Sequence, residues 1–169
     1  MTMAASPPGT TLTVGIADAK VSADAGASLV THALGSCVGV TAYDRKRKIG
    51  GLLHILLPES SLDAAEAERN PYKYADTGIR RLFEELARAG AERRGLEVRL
   101  IGGAQMLNDQ GLFNIGHRNV LAARKLLWKM GCFLKGEETG GAESRTVRLE
   151  IGTGDVYIRR QGRPEEKLR

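Results

Sequence analysis

The chain has 169 residues, the size of one ordinary domain, and its 42% apolar and 27% charged residues exclude extended disorder. Twenty-five Lys and Arg against twenty Asp and Glu give a net charge of +5. The basic residues nevertheless fall in short groups with acidic neighbours, and aromatics are only 5%, which argues against a nucleic-acid-binding stripe. Two cysteines and three histidines, far apart, exclude a disulfide framework and show no zinc-ligand spacing.

Residues 1–10 read as a flexible N-terminal tail, because Ser6-Pro7-Pro8-Gly9 continues neither a helix nor a ladder. They carry no basic n-region or apolar h-region, and no apolar run approaches the ~20 residues that span a bilayer. The expectation is a soluble, cytoplasmic monomer with no membrane insertion, built as one domain over 11–160 with a frayed tail over 161–169.

Thr11 to Ile16 has the β-branched bias of a short strand, and Ser22 to Ser28 reads as a turn. Leu29-Val30-Thr31 is a further short strand leading into Leu34-Gly35-Ser36-Cys37. Val38 to Tyr43 alternates, with Val38, Val40 and Ala42 on one face. After the polar Asp44 to Lys48, the run Ile49 to Leu57 is apolar on both faces and stops at Pro58, which predicts a β-hairpin. Ser60 to Arg69 reads as a surface segment or short helix. Asn70-Pro71 has the form of an N-cap with proline at the first helical position. Ala75, Ile79, Leu82, Phe83 and Leu86 follow at helical spacing, with Glu84 and Arg88 as an i,i+4 pair.

Leu96 to Ile101 is a strand ending at Gly102-Gly103-Ala104, and 105–115 a loop. A second helix runs from near Gly116 to Met130, with Val120, Ala123, Leu127 and Met130 on one face and Trp128 partly against the core. Lys135 to Gly141 reads as a polar loop, and Thr146 to Ile151 and Val156 to Arg160 as a hairpin. The order predicts an α+β fold.

The hairpin brings two reactive residues together. A two-residue turn at Arg45-Lys46 sets Cys37 directly opposite His54, and a four-residue turn leaves them on one face as a diagonal pair. A three-residue turn puts them on opposite faces. A thiol beside an imidazole is a nucleophile with its base, and Gly35-Ser36 suits a tight turn exposing backbone N–H groups to an oxyanion. The alternative is that Cys37 is a small buried hydrophobe and His54 a hydrogen-bonded core side chain. Of the other residues, Cys132 reads as core packing and His117 as surface. Asn119 reads as structural support, and Gly102-Gly103-Ala104 lacks the lysine and spacing of a phosphate loop.

Thr31-His32-Ala33-Leu34-Gly35-Ser36-Cys37-Val38 resembles the signature of the chemoreceptor glutamine deamidase family, CheD. Gly51-Leu52-Leu53-His54 through Leu57-Pro58, Tyr74-Ala75-Asp76, Ile101 to Ala104 and Ile115-Gly116-His117-Arg118-Asn119 match it in order. Gly140-Gly141 with Arg145 and Thr153-Gly154-Asp155-Val156 complete the set. One departure is Ser144, where the family pattern has glycine before the arginine. The resemblance implies hydrolysis of glutamine side-chain amides in bacterial chemoreceptors, with Cys37 as nucleophile, His54 as general base and acid, and Thr31 orienting the imidazole. If Thr31 faces the site, His32 faces away. The resemblance also implies sandwich-like β-sheet layers flanked by two or three helices, similar to toxin deamidases and other cysteine hydrolases. It implies no cofactor or metal, and as partners methyl-accepting chemotaxis receptors and a CheC-type response-regulator phosphatase. A competing expectation is a regulator that binds and stimulates that phosphatase without catalysis.

Overall fold

Strands β4 (Val38–Asp44) and β5 (Ile49–Ile55) are buried along their whole length. Val38, Val40, Ala42, Leu53 and Ile55 face one apolar core, while Cys37, Tyr43 and Leu52 face another. The pair therefore lies at the centre of the molecule with a layer on each side. The computed structural model describes residues 9–106 and 113–169; most of the expected N-terminal tail and the middle of the expected 105–115 loop lie outside them.

The first sheet has the order β2-β5-β4-β6-β7, with β2 (Asp18–Ser22), β6 (Leu96–Gly102) and β7 (Leu134–Thr139). The second has the order β1-β3-β8-β9-β10, from β1 (Thr11–Thr13), β3 (Ser28–Leu34), β8 (Arg145–Glu150), β9 (Val156–Arg160) and β10 (Glu166–Lys167). Only β1 with β3 and β6 with β7 pair in parallel among these. Leu29, Leu52, Ile101, Val147, Leu149 and Val156 fill the space between the sheets. Helices α2 (Ala75–Arg88) and α3 (Ile115–Lys129) cover the other face of the first sheet, and α1 (Ala64–Arg69) is a short helix preceding α2. The result is the expected α+β class, a two-sheet sandwich with a helical layer.

Glycine lets these layers close on β5. A Cβ at Gly50 would come within 2.8 Å of Ile151, just past β8 of the second sheet, and one at Gly51 within 2.8 Å of Leu82 in α2. The hairpin tip, Arg45 to Lys48, is exposed yet tied down. Arg45 forms a two-pronged pair with Glu97 at 2.9 Å per contact, and its Nη1 donates to the Thr153 carbonyl. Lys48 donates to the Gly152 carbonyl, so the tip joins the two sheets.

Several elements differ from expectation for identifiable reasons. Asn70 caps a single 3-10 turn at Pro71–Lys73, and α2 begins only at Ala75. Between them Tyr74 is extended and bridges to Leu57, which postpones the helix. Ala75, Ile79, Leu82, Phe83 and Leu86 are all buried as expected, but Arg88 pairs with Glu85 at 2.6 Å rather than with Glu84. Most of the polar stretch expected as a loop, Lys135 to Gly141, belongs to β7, an edge strand that charged residues keep from pairing further. Residues 18–21, given no element by the sequence, and Ser22, expected in a turn, pair with β5 as β2. In the C-terminal stretch, expected to fray, β10 pairs with β9 and Leu168 packs on the inter-sheet core. Trp128 is 74% exposed, because it lies one step around α3 from the buried Leu127.

Leu82→Ala removes a fully buried side chain facing β5 and is expected to cost about 2–5 kcal/mol. Trp128→Ala is expected to stay within about 0.5 kcal/mol of the parent. Denaturant midpoints of the two variants check both values.

Candidate active site

The route from sheet to sheet builds the site. β3 belongs to the second sheet and β4 to the first, so the chain crosses between them through Gly35-Ser36-Cys37. A register shift after Thr31 and a left-handed Ala33 (φ 56°) turn the chain out of β3. The hairpin turn has four residues, Arg45 to Lys48, with Asp44 opposite Ile49 and Gly39 opposite His54. Continued by one residue, that register sets Cys37 against Leu56, so Cys37 and His54 are diagonal neighbours on one face. This is the second of the two arrangements that unite them; directly opposed pairing does not occur.

That face looks toward the second sheet, where Thr31 stands. Thr31 is fully buried, and its Oγ1 lies 2.7 Å from His54 Nδ1 and 2.8 Å from the Val14 carbonyl oxygen. The carbonyl only accepts, so the single hydroxyl hydrogen goes to Val14. Nδ1–H must then be the donor to Thr31, and the lone pair resides on Nε2. Nε2 is buried and has no hydrogen-bond partner among the described residues. The ring is thus held in the tautomer that accepts a proton on the side away from Thr31.

Burial sets the charge as well. His54 is 1% exposed, and desolvation lowers its pKa from 6.5 to about 4, against a smaller opposing pull from Asp18. Asp18 is its cross-strand partner in β2. At neutral pH the resting imidazole is uncharged, with its Nε2 lone pair open to a proton. Cys37 is 8% exposed, at the outer edge of the pair. His32 is exposed, as the strand alternation predicts. Cys132 packs beside the helix-side core, on the opposite side of the sheet from Cys37.

The turn bearing Cys37 is fastened through its carbonyls. The Gly35 carbonyl accepts from Ala104 N–H and the Cys37 carbonyl from Gly103 N–H, both at 2.8 Å. Such contact needs glycine: a Cβ at Gly102 would lie 2.4 Å from the Cys37 oxygen, and one at Gly103 (φ 63°) 2.2 Å from Val120. The Gly140-Gly141 motif supports the same corner. Buried Arg145 donates to the Gly140 carbonyl at 2.8 Å and to the Gly102 carbonyl at 3.4 Å. Ser144 is not among the residues with positive φ, so the missing family glycine leaves no backbone strain there. A cavity of about 300 Å³ between Gly103, His117 and Gly140 borders the site, but neither Cys37 nor His54 lines it. Sequence reasoning missed Val14, which acts through its backbone and leaves no signal in residue identity.

The depressed His54 pKa makes folding pH-dependent. The unfolded imidazole binds a proton near pH 6.5 and the folded one only near pH 4. Stability from this group is full above pH 6.5 and falls as pH drops toward 4, by roughly 2–4 kcal/mol. The expected result is a flatter stability curve between pH 6.5 and 4 for His54→Gln than for the parent. In a direct NMR titration, an imidazole with an ordinary midpoint would contradict it.

A family model described as CheD chemotactic sensory transduction matches residues 56–160. The chain is 50% identical over 153 residues to a probable chemoreceptor glutamine deamidase CheD of Solibacter usitatus, covering 90% of each. It is 47% identical over 155 residues to a protein named probable chemoreceptor glutamine deamidase CheD 1 of Syntrophus aciditrophicus, covering 92% of this chain and 97% of that one. A probable chemoreceptor glutamine deamidase CheD of Pyrococcus abyssi is 45% identical over 149 residues, covering 87% and 90%. The family model begins after Thr31, Cys37 and His54, whereas the pairwise matches extend over nearly the whole chain. On these matches, the chain belongs to the CheD family.

Proposed function

We propose that this protein is a chemoreceptor glutamine deamidase in which Cys37 is the nucleophile, His54 the general base and acid, and Thr31 the residue that orients the imidazole. The observation that carries the reading is the Val14–Thr31–His54 hydrogen-bond chain, which leaves an unpartnered Nε2 on the face shared with Cys37. The relatives' names supply the substrate class.

The reaction follows from that geometry. His54 Nε2 takes the Cys37 proton as the sulfur attacks the glutamine carboxamide carbon, giving a tetrahedral oxyanion. Backbone N–H groups of the nucleophile turn are suited to hold that charge. The Nε2 proton passes to the amide nitrogen, ammonia leaves, and a thioester remains. Water then loses a proton to Nε2 and attacks the thioester; collapse returns the proton to sulfur and releases glutamate. Each half uses the same nitrogen, first as base and then as acid. Thr31 accepts from Nδ1–H throughout and stabilises the imidazolium that forms transiently.

The proposed setting is the cytoplasm, where a thiol stays reduced. Among the described residues no helix is long and apolar enough to cross a membrane. The working state is a monomer, and a CheC-type phosphatase is a further partner of the proposal.

Incubating a receptor cytoplasmic fragment with the protein and reading Gln-to-Glu conversion by mass spectrometry tests the assignment. The parent is expected to convert specific glutamines. Cys37→Ala abolishes conversion, and His54→Ala loses about 10²–10⁴-fold in rate. Thr31→Val, which keeps the shape but frees Nδ1, loses less than His54→Ala. Conversion by Cys37→Ala at the parent rate would sink the assignment.

A further inference from the structure

We infer that Asn119 is a positioning residue for this site: its side-chain amide orients the Ser36–Cys37 peptide, and thereby aims the Cys37 N–H at the oxyanion formed during hydrolysis. The inference rests on the deamidase reading above and goes beyond it by assigning a role to a residue remote from the Cys37–His54 pair in sequence.

Asn119 lies in α3 and is fully buried. Its Nδ2 donates to the Ser36 carbonyl at 2.9 Å and to the Leu56 carbonyl at 3.1 Å. Both acceptors are carbonyls, so the amide orientation is fixed, and Oδ1 is left buried without a partner. A packing position does not call for such a group, since an orphaned buried acceptor costs stability. The two carbonyls also sit where the chain enters β4 beside Cys37 and leaves β5 beyond His54. Ser36 immediately precedes Cys37, and Leu56 follows His54 by two residues.

With Asn119 included, three consecutive carbonyls are held: Gly35 by Ala104 N–H, Ser36 by Asn119, and Cys37 by Gly103 N–H. Asn119 alone among the three holds by a side chain. The described peptide bonds are all trans, and in a planar trans peptide the N–H points opposite to the preceding C=O. Drawing the Ser36 carbonyl toward α3 therefore turns the Cys37 N–H away from the helix. The second bond, to Leu56, holds the β5 exit at the same distance from the helix, so nucleophile and base keep their relation.

The test compares Asn119→Ser, Asn119→Asp and Asn119→Gln with the parent in two assays. One is steady-state deamidation of a receptor fragment. The other is alkylation of Cys37 by iodoacetamide across pH, with Cys132→Ser as the common background. Alkylation displaces iodide at a saturated carbon and forms no oxyanion, so it reports the thiol and its base alone. Asn119→Ser is expected to lower kcat by about 10- to 100-fold, with KM within about threefold and an unchanged alkylation profile. Asn119→Gln, which keeps both donors, recovers part of the loss, and Asn119→Asp, which has none, is the most impaired. Thermal melts identify any variant that does not fold, and Asn119→Ser carries the test if Asn119→Asp is one of them. A folded Asn119→Ser with parental kcat overturns the inference, as does a fall in alkylation that parallels kcat. A parent that deamidates nothing overturns the functional reading and this inference together, whereas an active parent with an indifferent Asn119→Ser overturns the inference alone.

Discussion

A single hydroxyl hydrogen governs the site. Thr31 has one to donate, the Val14 carbonyl takes it, and His54 is thereby obliged to donate from Nδ1. Val14 is itself fastened to β3 through its N–H to Val30 O, so the acceptor that fixes the tautomer is part of the sheet that carries Thr31. The imidazole it controls comes from the other sheet. The contact exists only while the two sheets lie at packing distance, which joins the chemistry to the inter-sheet core. Burial acts in the same direction, since desolvation keeps the ring neutral while the hydroxyl decides where its proton sits.

The remainder of the site is an exercise in close backbone approach. The strand-to-strand crossover at Gly35-Ser36-Cys37, the end of β6 and the first turn of α3 meet with almost no side-chain volume between them. A Cβ at Gly116 would lie 2.3 Å from the Ala104 carbonyl oxygen, as intolerable as those at Gly102 and Gly103. Such contacts are rigid because backbone groups have no rotamers with which to yield. The Arg145 guanidinium extends this rigidity to the Gly140-Gly141 corner, binding two loops through their carbonyls. The position of Cys37 is thus set by backbone contacts on both sides of the turn.

Features that depend on residue identity were legible in the sequence. The β4–β5 hairpin announced itself by alternation in β4 and apolar content on both faces of β5, and the diagonal placement of Cys37 and His54 was one of two arrangements that brought them together. The α2 core residues followed from helical spacing. Features that depend on partners were not legible. β7 has one large apolar residue, Leu134, and becomes a strand because β6 offers it an edge. β2 alternates, with Ala19 and Val21 on the helix-side core, but two apolar residues in five are a weak signal until β5 offers an edge. Val14 contributes an oxygen that every residue possesses. Asn119 was read as support, but the two carbonyls it joins are 20 residues apart in sequence and meet only in the fold.

The surface position of Trp128 bears on how this protein can be observed. It is the only tryptophan in the chain, and its indole stands largely in water on α3. Its emission is therefore already red-shifted in the native state and reports little of the loss of the core, so a fluorescence melt would understate unfolding. The same indole becomes a sensitive optical label for anything that covers the outer face of α3, where shielding from solvent would shift its spectrum without any change in the fold beneath.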